Sequence, residues 1–284
     1  MKATALAGSN VAFVKYWGAL DARLNLPLNN SLSLTLDQAN TLVTIEFSPH
    51  AGQDRVELEG RPVTGPVAER VVRHLDRLRQ LAGSEQPARV ASKSSFPVAT
   101  GLASSASLFA AMTVAGLAAL GLSFSERTVS TIARLGSGSA ARSVYGGWVE
   151  WVAGGRHEDS YAYPLAPRDH WPVRDIVGIV SEEPKEVPST AGHQTAFSSP
   201  CFAGRLARAA ADVARARTAI LTRDLALLGQ IAEEEALLLH AVTMTAEPRL
   251  QVYEGRNGAP PIRVMGCNIF DPDGTFIEIN QILK

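Results

Sequence analysis

Pro97-Val98-Ala99-Thr100-Gly101-Leu102-Ala103-Ser104-Ser105-Ala106 is the stretch on which the fold turns. Gly101 permits a tight turn, and the small residues Ala103, Ser104 and Ser105 let a ligand come close to the backbone. The apolar run that follows has the length of a helix. The free N–H groups and positive dipole end at its start suit a phosphate. The hydroxyls of Ser104 and Ser105 add hydrogen bonds or a metal ligand. No GxxxxGK[ST] pattern occurs, so this is not a Walker A loop. The same residues equally suit a glycine turn ahead of a well-packed helix.

Working outward, no charged residue occurs from Ser94 to Ser125. A membrane span needs ~20 predominantly apolar residues. Here Ala, Gly, Ser and Thr dominate, and Pro97 and Gly101 interrupt the start. A buried helix packed closely through small side chains fits better.

The chain has 284 residues, 46% hydrophobic and 19% charged, which is ordinary for a globular protein with a sizeable core. Its formal net charge is −1, and basic residues are scattered. This argues against nucleic acid or an anionic membrane as a partner. Cys201 and Cys267 form no CxxC pair, so reduced thiols in a cytoplasmic protein are the simpler expectation.

Residues 40–48 alternate as a strand, with Arg55–Leu58 as a candidate partner. Val67–Leu81 carries Val71, Val72, Leu75 and Leu78 at helical spacing. Ser125-Glu-Arg-Thr opens a second helix, ending near Gly136. Residues 146–152 and 176–180 read as strands, and 203–221 and 224–243 as helices rich in Ala, Leu, Arg and Glu. The expected division is an N-terminal α+β lobe over 1–170 and a more helical lobe over 171–284.

Two further segments carry chemistry. Gly136-Ser137-Gly138-Ser139-Ala140-Ala141-Arg142-Ser143 offers hydroxyls and a guanidinium, a combination suited to a planar anion; it would also serve as a polar loop. Asn10-Val-Ala-Phe-Val-Lys15-Tyr16-Trp17-Gly18 sets a lone lysine among apolar residues. A buried Lys15 needs an anionic partner, and otherwise its ammonium reaches the surface.

Together with Leu26–Leu36 and Glu233–His240, these motifs resemble the diphosphomevalonate decarboxylase branch of the GHMP kinases. The Lys-Tyr-Trp-Gly and Gly-Ser-Gly-Ser-x-x-Arg-Ser motifs are particular to that branch. The resemblance implies an α+β GHMP kinase fold of two lobes, the first like ribosomal protein S5 domain 2, with the active site in the cleft between them. It implies ATP and Mg²⁺ as cofactors, a phosphorylated mevalonate as substrate, and a homodimer. It implies that Ser92, Ser94, Pro97, Gly101, Leu102, Ala103, Ser104 and Ser105 line the ATP side, with Ser105 on the metal. Lys15, Tyr16, Asn29, Ser137, Ser139, Arg142, Ser189, Thr190 and His193 would contact the substrate, and Lys15, Arg142 and Asp271 would carry catalysis.

Three positions depart from the branch's pattern. Ala19 stands where a lysine is typical after Lys-Tyr-Trp-Gly. Thr190 stands where arginine is frequent. Asp271-Pro272-Asp273-Gly274 only loosely resembles the family's aspartate loop and also suits a hairpin turn. Two lost cations near the distal phosphate lead to the expectation of mevalonate 5-phosphate as substrate and isopentenyl phosphate as product. A diphosphomevalonate decarboxylase, with His193 or Lys185 replacing the missing charge, is the alternative. A mevalonate 3-kinase and a non-catalytic sensor are further readings.

Overall fold

The computed structural model describes residues 1–97, 104–176 and 189–249, and the short strand pairs 265–266, 269–270 and 279–280. Of the strand expected at residues 176–180 all but Ile176 lies outside them, as do Gly101, Leu102, Ala103, Lys185 and Asp271.

A long central strand organises the first part of the chain. Strand β1 (Lys2–Val14) runs antiparallel to β4 (Ser31–Phe47) over nearly its whole length. The other edge of β4 is shared. Its first residues pair with β8 (Trp148–Trp151) and its last with β7 (Ala88–Ser94). The hairpin β5 (Arg55–Leu58) and β6 (Arg61–Pro62) and strand β9 (Ala162–Ala166) extend the two ends, giving the order β6-β5-β7-β4-β8-β9 with β1 against β4. A small hairpin, β2 (Ala19–Asp21) and β3 (Leu26–Pro27), follows β1. The strand expected at 40–48 thus begins nine residues earlier, because Ser31-Leu-Ser-Leu-Thr-Leu alternates in the same period.

Helices cover the sheet in two groups. α1 (Gly65–Ala82), α2 (Ser104–Ala119) and α3 (Glu126–Gly136) share one core with Val43, Ile45, Phe47 and Val90. The uncharged stretch is therefore α2, a buried helix. Gly116 shows why small residues are needed there, since a Cβ would lie 2.4 Å from Leu78 Cδ1. No helix among the described residues is long and apolar enough to cross a membrane. α3 starts with Ser125 accepting the Thr128 N–H at 3.3 Å, the cap its sequence announced.

The second core lies under α6 (Phe202–Thr222) and α7 (Leu225–Thr245), where Val213, Ile220, Leu228 and Ile231 meet Val11, Phe13, Leu32 and Trp148. Strand β1 thus serves both cores, its first half under α1–α2 and its second half under α6–α7, and β4 does so in the opposite order. The register shift between Gly8 and Asn10 marks the change. Helix α6 is tied to the sheet by charge as well. Glu150, fully buried on β8, accepts Arg217 at 2.8–3.0 Å, Tyr163 Oη at 2.9 Å and Asn30 Nδ2 at 3.0 Å. Near the end of α6, His170 Nε2 sits 2.9 Å from the Ile220 carbonyl.

Candidate active site

The last residues of α3 lead into Ser137, Gly138, Ser139 and the short helix α4 (Ala140–Ser143). The carbonyls at the end of a helix lack internal partners. Here three side chains supply them. Asn25 Nδ2 donates to Arg134 O at 2.8 Å, Arg77 donates to Leu135 O, and Arg70 donates to Gly136 O at 2.9 and 3.1 Å. Two of the three carry positive charge at the negative end of the helix dipole. The glycines allow close approach: a Cβ on Gly136 would lie 2.2 Å from Phe109 Cδ1, and one on Gly138 would lie 2.6 Å from Tyr16 Cε1. The segment is thus fixed in place and carries Ser137 beside α2 and Arg142 beside β1.

On the α2 side, Ser105 Oγ is 3.1 Å from Ser137 Oγ. A chain of hydroxyls braces the start of that helix. Ser94 Oγ meets Thr41 Oγ1 at 3.1 Å, Thr41 meets Ser107 Oγ at 2.7 Å, and Ser107 donates to Ser104 O at 3.2 Å. The N–H of Ser94 donates to the Glu59 carboxylate at 2.9 Å, and Ser92 is buried one pleat earlier on β7. Pro97 ends the described part of the connection. Neutral hydroxyls and the first amides of α2 form a donor set suited to phosphate oxygens, and Ser105 offers an oxygen of the kind Mg²⁺ prefers. Among the described residues, no three His, Cys, Asp or Glu side chains come together as metal ligands.

On the β1 side the centre is Arg142. Its guanidinium is buried, with Nε and Nη2 donating to Asn10 Oδ1 at 3.3 and 3.0 Å and Nη1 donating to Ser31 Oγ. Asn10 is held in turn, its Nδ2 donating to Ser143 Oγ at 2.7 Å and Ser139 O at 3.2 Å. Burial lowers the Arg142 pKa to about 10, partly offset by Tyr16, so the group stays cationic at neutral pH. No carboxylate pairs with it among the described residues. Two of its five N–H groups have no partner among the described residues. A buried cation held only by neutral groups is costly unless an anion joins it.

The remaining candidates cluster about the turn after β1. Lys15 is half-buried and donates to Ala12 O at 3.0 Å, with no ion pair among the described residues. Tyr16 lies 4.8 Å from the Trp151 ring, and burial pushes its hydroxyl up to about 12, which keeps it a neutral donor. Asn29 Nδ2 donates to Lys15 O at 3.2 Å, while its buried Oδ1 has no partner among the described residues. His193, in α5 (Ser189–Thr195), stacks on Tyr16 at 4.1 Å. Ser189 and Thr190 share that helix, and their side chains lie outside the described set.

Sequence reasoning missed Asn10 and Ser31 as the partners of Arg142, and Arg205 and Glu235 beneath Lys15. Asn10 was not legible as a partner, since it follows Ser9 in a strand of small residues and meets Arg142 only through the fold. Arg205 was hidden in a helix with several other arginines.

Comparison with known proteins adds family information. Residues 7–162 match the model of the diphosphomevalonate decarboxylase-like N-terminal domain, and residues 175–255 that of the mevalonate 5-diphosphate decarboxylase C-terminal domain. The chain is 40% identical over 267 residues to the diphosphomevalonate decarboxylase mvd1 of Aspergillus fumigatus, covering 87% of this chain and 66% of that protein. It is 37% identical to the diphosphomevalonate decarboxylase of Bos taurus, covering 86% and 66%. The chain thus spans slightly under two thirds of the length of these relatives. Among solved structures, mevalonate diphosphate decarboxylase from Staphylococcus aureus superposes with a TM-score of 0.83 at 35% identity, covering 89% of this chain and 77% of that one. MDDEF in complex with MVAPP, AMPPCP and magnesium gives the same score and identity, with 89% and 78% covered.

Proposed function

This chain belongs to the diphosphomevalonate decarboxylase family, a branch of the GHMP kinases, and on that premise we propose that it is an ATP-dependent decarboxylase of mevalonate 5-diphosphate. The observation that carries the reading is Arg142, a buried guanidinium held by Asn10 and Ser31 with no carboxylate beside it among the described residues. Such a group is matched by the carboxylate of a substrate.

In this reading the tertiary 3-hydroxyl is phosphorylated, phosphate leaves with the C–O bonding pair, and the carboxylate departs as carbon dioxide. The bonding electrons that it leaves behind form the alkene. Arg142 would orient the carboxylate, and Tyr16, Ser137 and Ser139 would hold neighbouring oxygens through neutral donors. Lys15 and Asn29 would line the same side. Ser92, Ser94, Pro97 and the residues from Gly101 to Ser105 would receive ATP. Mg²⁺ would meet Ser105 and neutralise charge on the phosphates. Asp271 remains the proposed group for the 3-hydroxyl. The expected division at residue 170, a homodimer and a cytoplasmic location belong to the same reading.

The relatives' substrate moves the choice from the monophosphate to the diphosphate. Ala19, on β2, and Thr190 are what still favour the monophosphate. Both substrates, assayed side by side with ATP for ADP and carbon dioxide, separate the readings. A higher kcat/KM for the diphosphate supports the proposal, and the reverse selects the monophosphate. ADP without carbon dioxide selects a 3-kinase, and no turnover of either leaves a sensor.

A further inference from the structure

The turn Lys15–Gly18 leaves β1 with a positive φ of 85° at Gly18, and three residues from the far part of the chain close on it. His193 Nδ1 accepts the Gly18 N–H at 3.1 Å, across 175 residues of sequence. The same imidazole stacks on Tyr16, with centroids 4.1 Å apart, and lies 4.7 Å from the Trp17 ring. Phe202 presses on the other side of the glycine, where a Cβ would lie 2.6 Å from Phe202 Cζ. Arg205 Nη2 donates to Lys15 O at 2.7 Å and is itself paired with buried Glu235 at 3.0 Å.

We propose that His193 is a positioning residue, a latch through which the segment 193–205 sets the Lys15–Gly18 turn and with it the substrate-facing side chains of Lys15 and Tyr16. The geometry assigns the proton. Nδ1 accepts from Gly18, so a neutral ring must carry its hydrogen on Nε2. Protonation at Nδ1 would place two donors face to face and open the latch. Burial, with Arg205 of α6 nearby, holds the imidazole pKa at about 4. Lys15 and Tyr16 are the other titratable groups of the turn itself, and Glu235 of α7 reaches it through Arg205. A role in positioning differs from direct substrate contact in its consequences. Any side chain that restores an acceptor at the Nδ1 place should restore the turn, whether or not it can reach a ligand.

The proposal rests on the reading above for the identity of the ligand, while the latch itself can be read without any ligand. The test uses the full chain with His193→Asn, whose Oδ1 takes the place of Nδ1, and His193→Phe, which keeps the stacking and loses the acceptor. Amide exchange of the peptide containing Gly18 and calorimetric binding of mevalonate 5-diphosphate are measured on both. The expected result is about tenfold faster exchange and about tenfold weaker binding in the Phe variant, with the Asn variant within about threefold of the parent in both. Should the Phe variant fold poorly, His193→Gln repeats the test, because its longer side chain misplaces the acceptor. Unchanged exchange at Gly18 in the Phe or Gln variant overturns the latch. Faster exchange with unchanged binding overturns the positioning role. Equal loss in Asn and Phe overturns it in favour of direct contact by the imidazole. If the parent chain binds no phosphorylated mevalonate, the functional reading fails while the exchange result still decides the latch.

Discussion

The hydroxyls of Ser105 and Ser137 lie 3.1 Å apart, one in the first turn of α2 and the other just past the end of α3. They join the phosphate-suited helix start to the segment that carries Arg142. A hydrogen bond of this kind contributes about 1 kcal/mol net. Ser105→Ala and Ser137→Ala should therefore show coupled losses. In a double-mutant cycle on kcat/KM for ATP-dependent turnover, an interaction energy of ~0.5–1.5 kcal/mol is expected. Strict additivity would show that the two serines act apart.

Arg142→Gln removes the buried cation and leaves an amide among Asn10 and Ser31. Turnover should fall by at least ~100-fold, the usual scale for losing a charged group that fixes a reacting carboxylate. Thermal stability should change less than the loss of three hydrogen bonds alone suggests, because the desolvation cost of the guanidinium disappears with it. Phosphorylated mevalonate should raise the Tm of the parent and have a much smaller effect on the variant.

Gly136→Ala tests the packing under the site. The new methyl would collide with Phe109 at 2.2 Å and approach His74 Nδ1 at 3.0 Å. Overpacking of this sort costs ~1–3 kcal/mol, read by urea unfolding. Adding Phe109→Leu should recover part of the loss. Gly83→Ala, where nothing lies within 4 Å but φ is 60°, should cost only the ~1 kcal/mol of a left-handed residue.

Three buried histidines predict acid sensitivity. Burial lowers His74 to about 3 and His193 and His240 to about 4, all from 6.5. Between those values the unfolded chain binds protons that the folded chain does not. Stability is therefore complete above pH 6.5 and falls as pH drops toward 4, by up to ~1.4 kcal/mol per pH unit for each histidine. Chemical denaturation at a series of pH values measures the slope. His74→Gln should make it shallower without affecting ligand binding.

Helix α1 was legible from its apolar spacing, α3 from its cap, and α6 and α7 from their wealth of strong helix formers, all of them local signals. The alternation of β4 was legible from residue 40 onward. β1 was not, since small residues fill most of it and leave little β-branched bulk and little contrast between its faces. The Gly-Ser-Gly-Ser segment and Arg142 could be singled out by residue type. What surrounds them could not. Asn10 reaches Arg142 across 132 residues and His193 reaches Gly18 across 175, and such pairings follow from chain topology rather than local pattern. Lys15 keeps both readings that charge reasoning gave it, since its ammonium spends one donor on the Ala12 carbonyl three residues back and has two more for a substrate anion or for solvent.

Helix α6 is fastened along its length by Arg205 to the Lys15 carbonyl, by Arg217 to Glu150 and through Ile220 to His170. Three rivets on one rod leave no hinge within it. The three ties end on the turn after β1, on β8 and on the segment after β9, so the helix is held against the sheet near both of its ends. Residues 202–222 therefore travel with the sheet during any breathing of the molecule, although they stand far from it in sequence. An engineer seeking to loosen the turn at Gly18 would have to release a rivet, since softening the rod would transmit nothing.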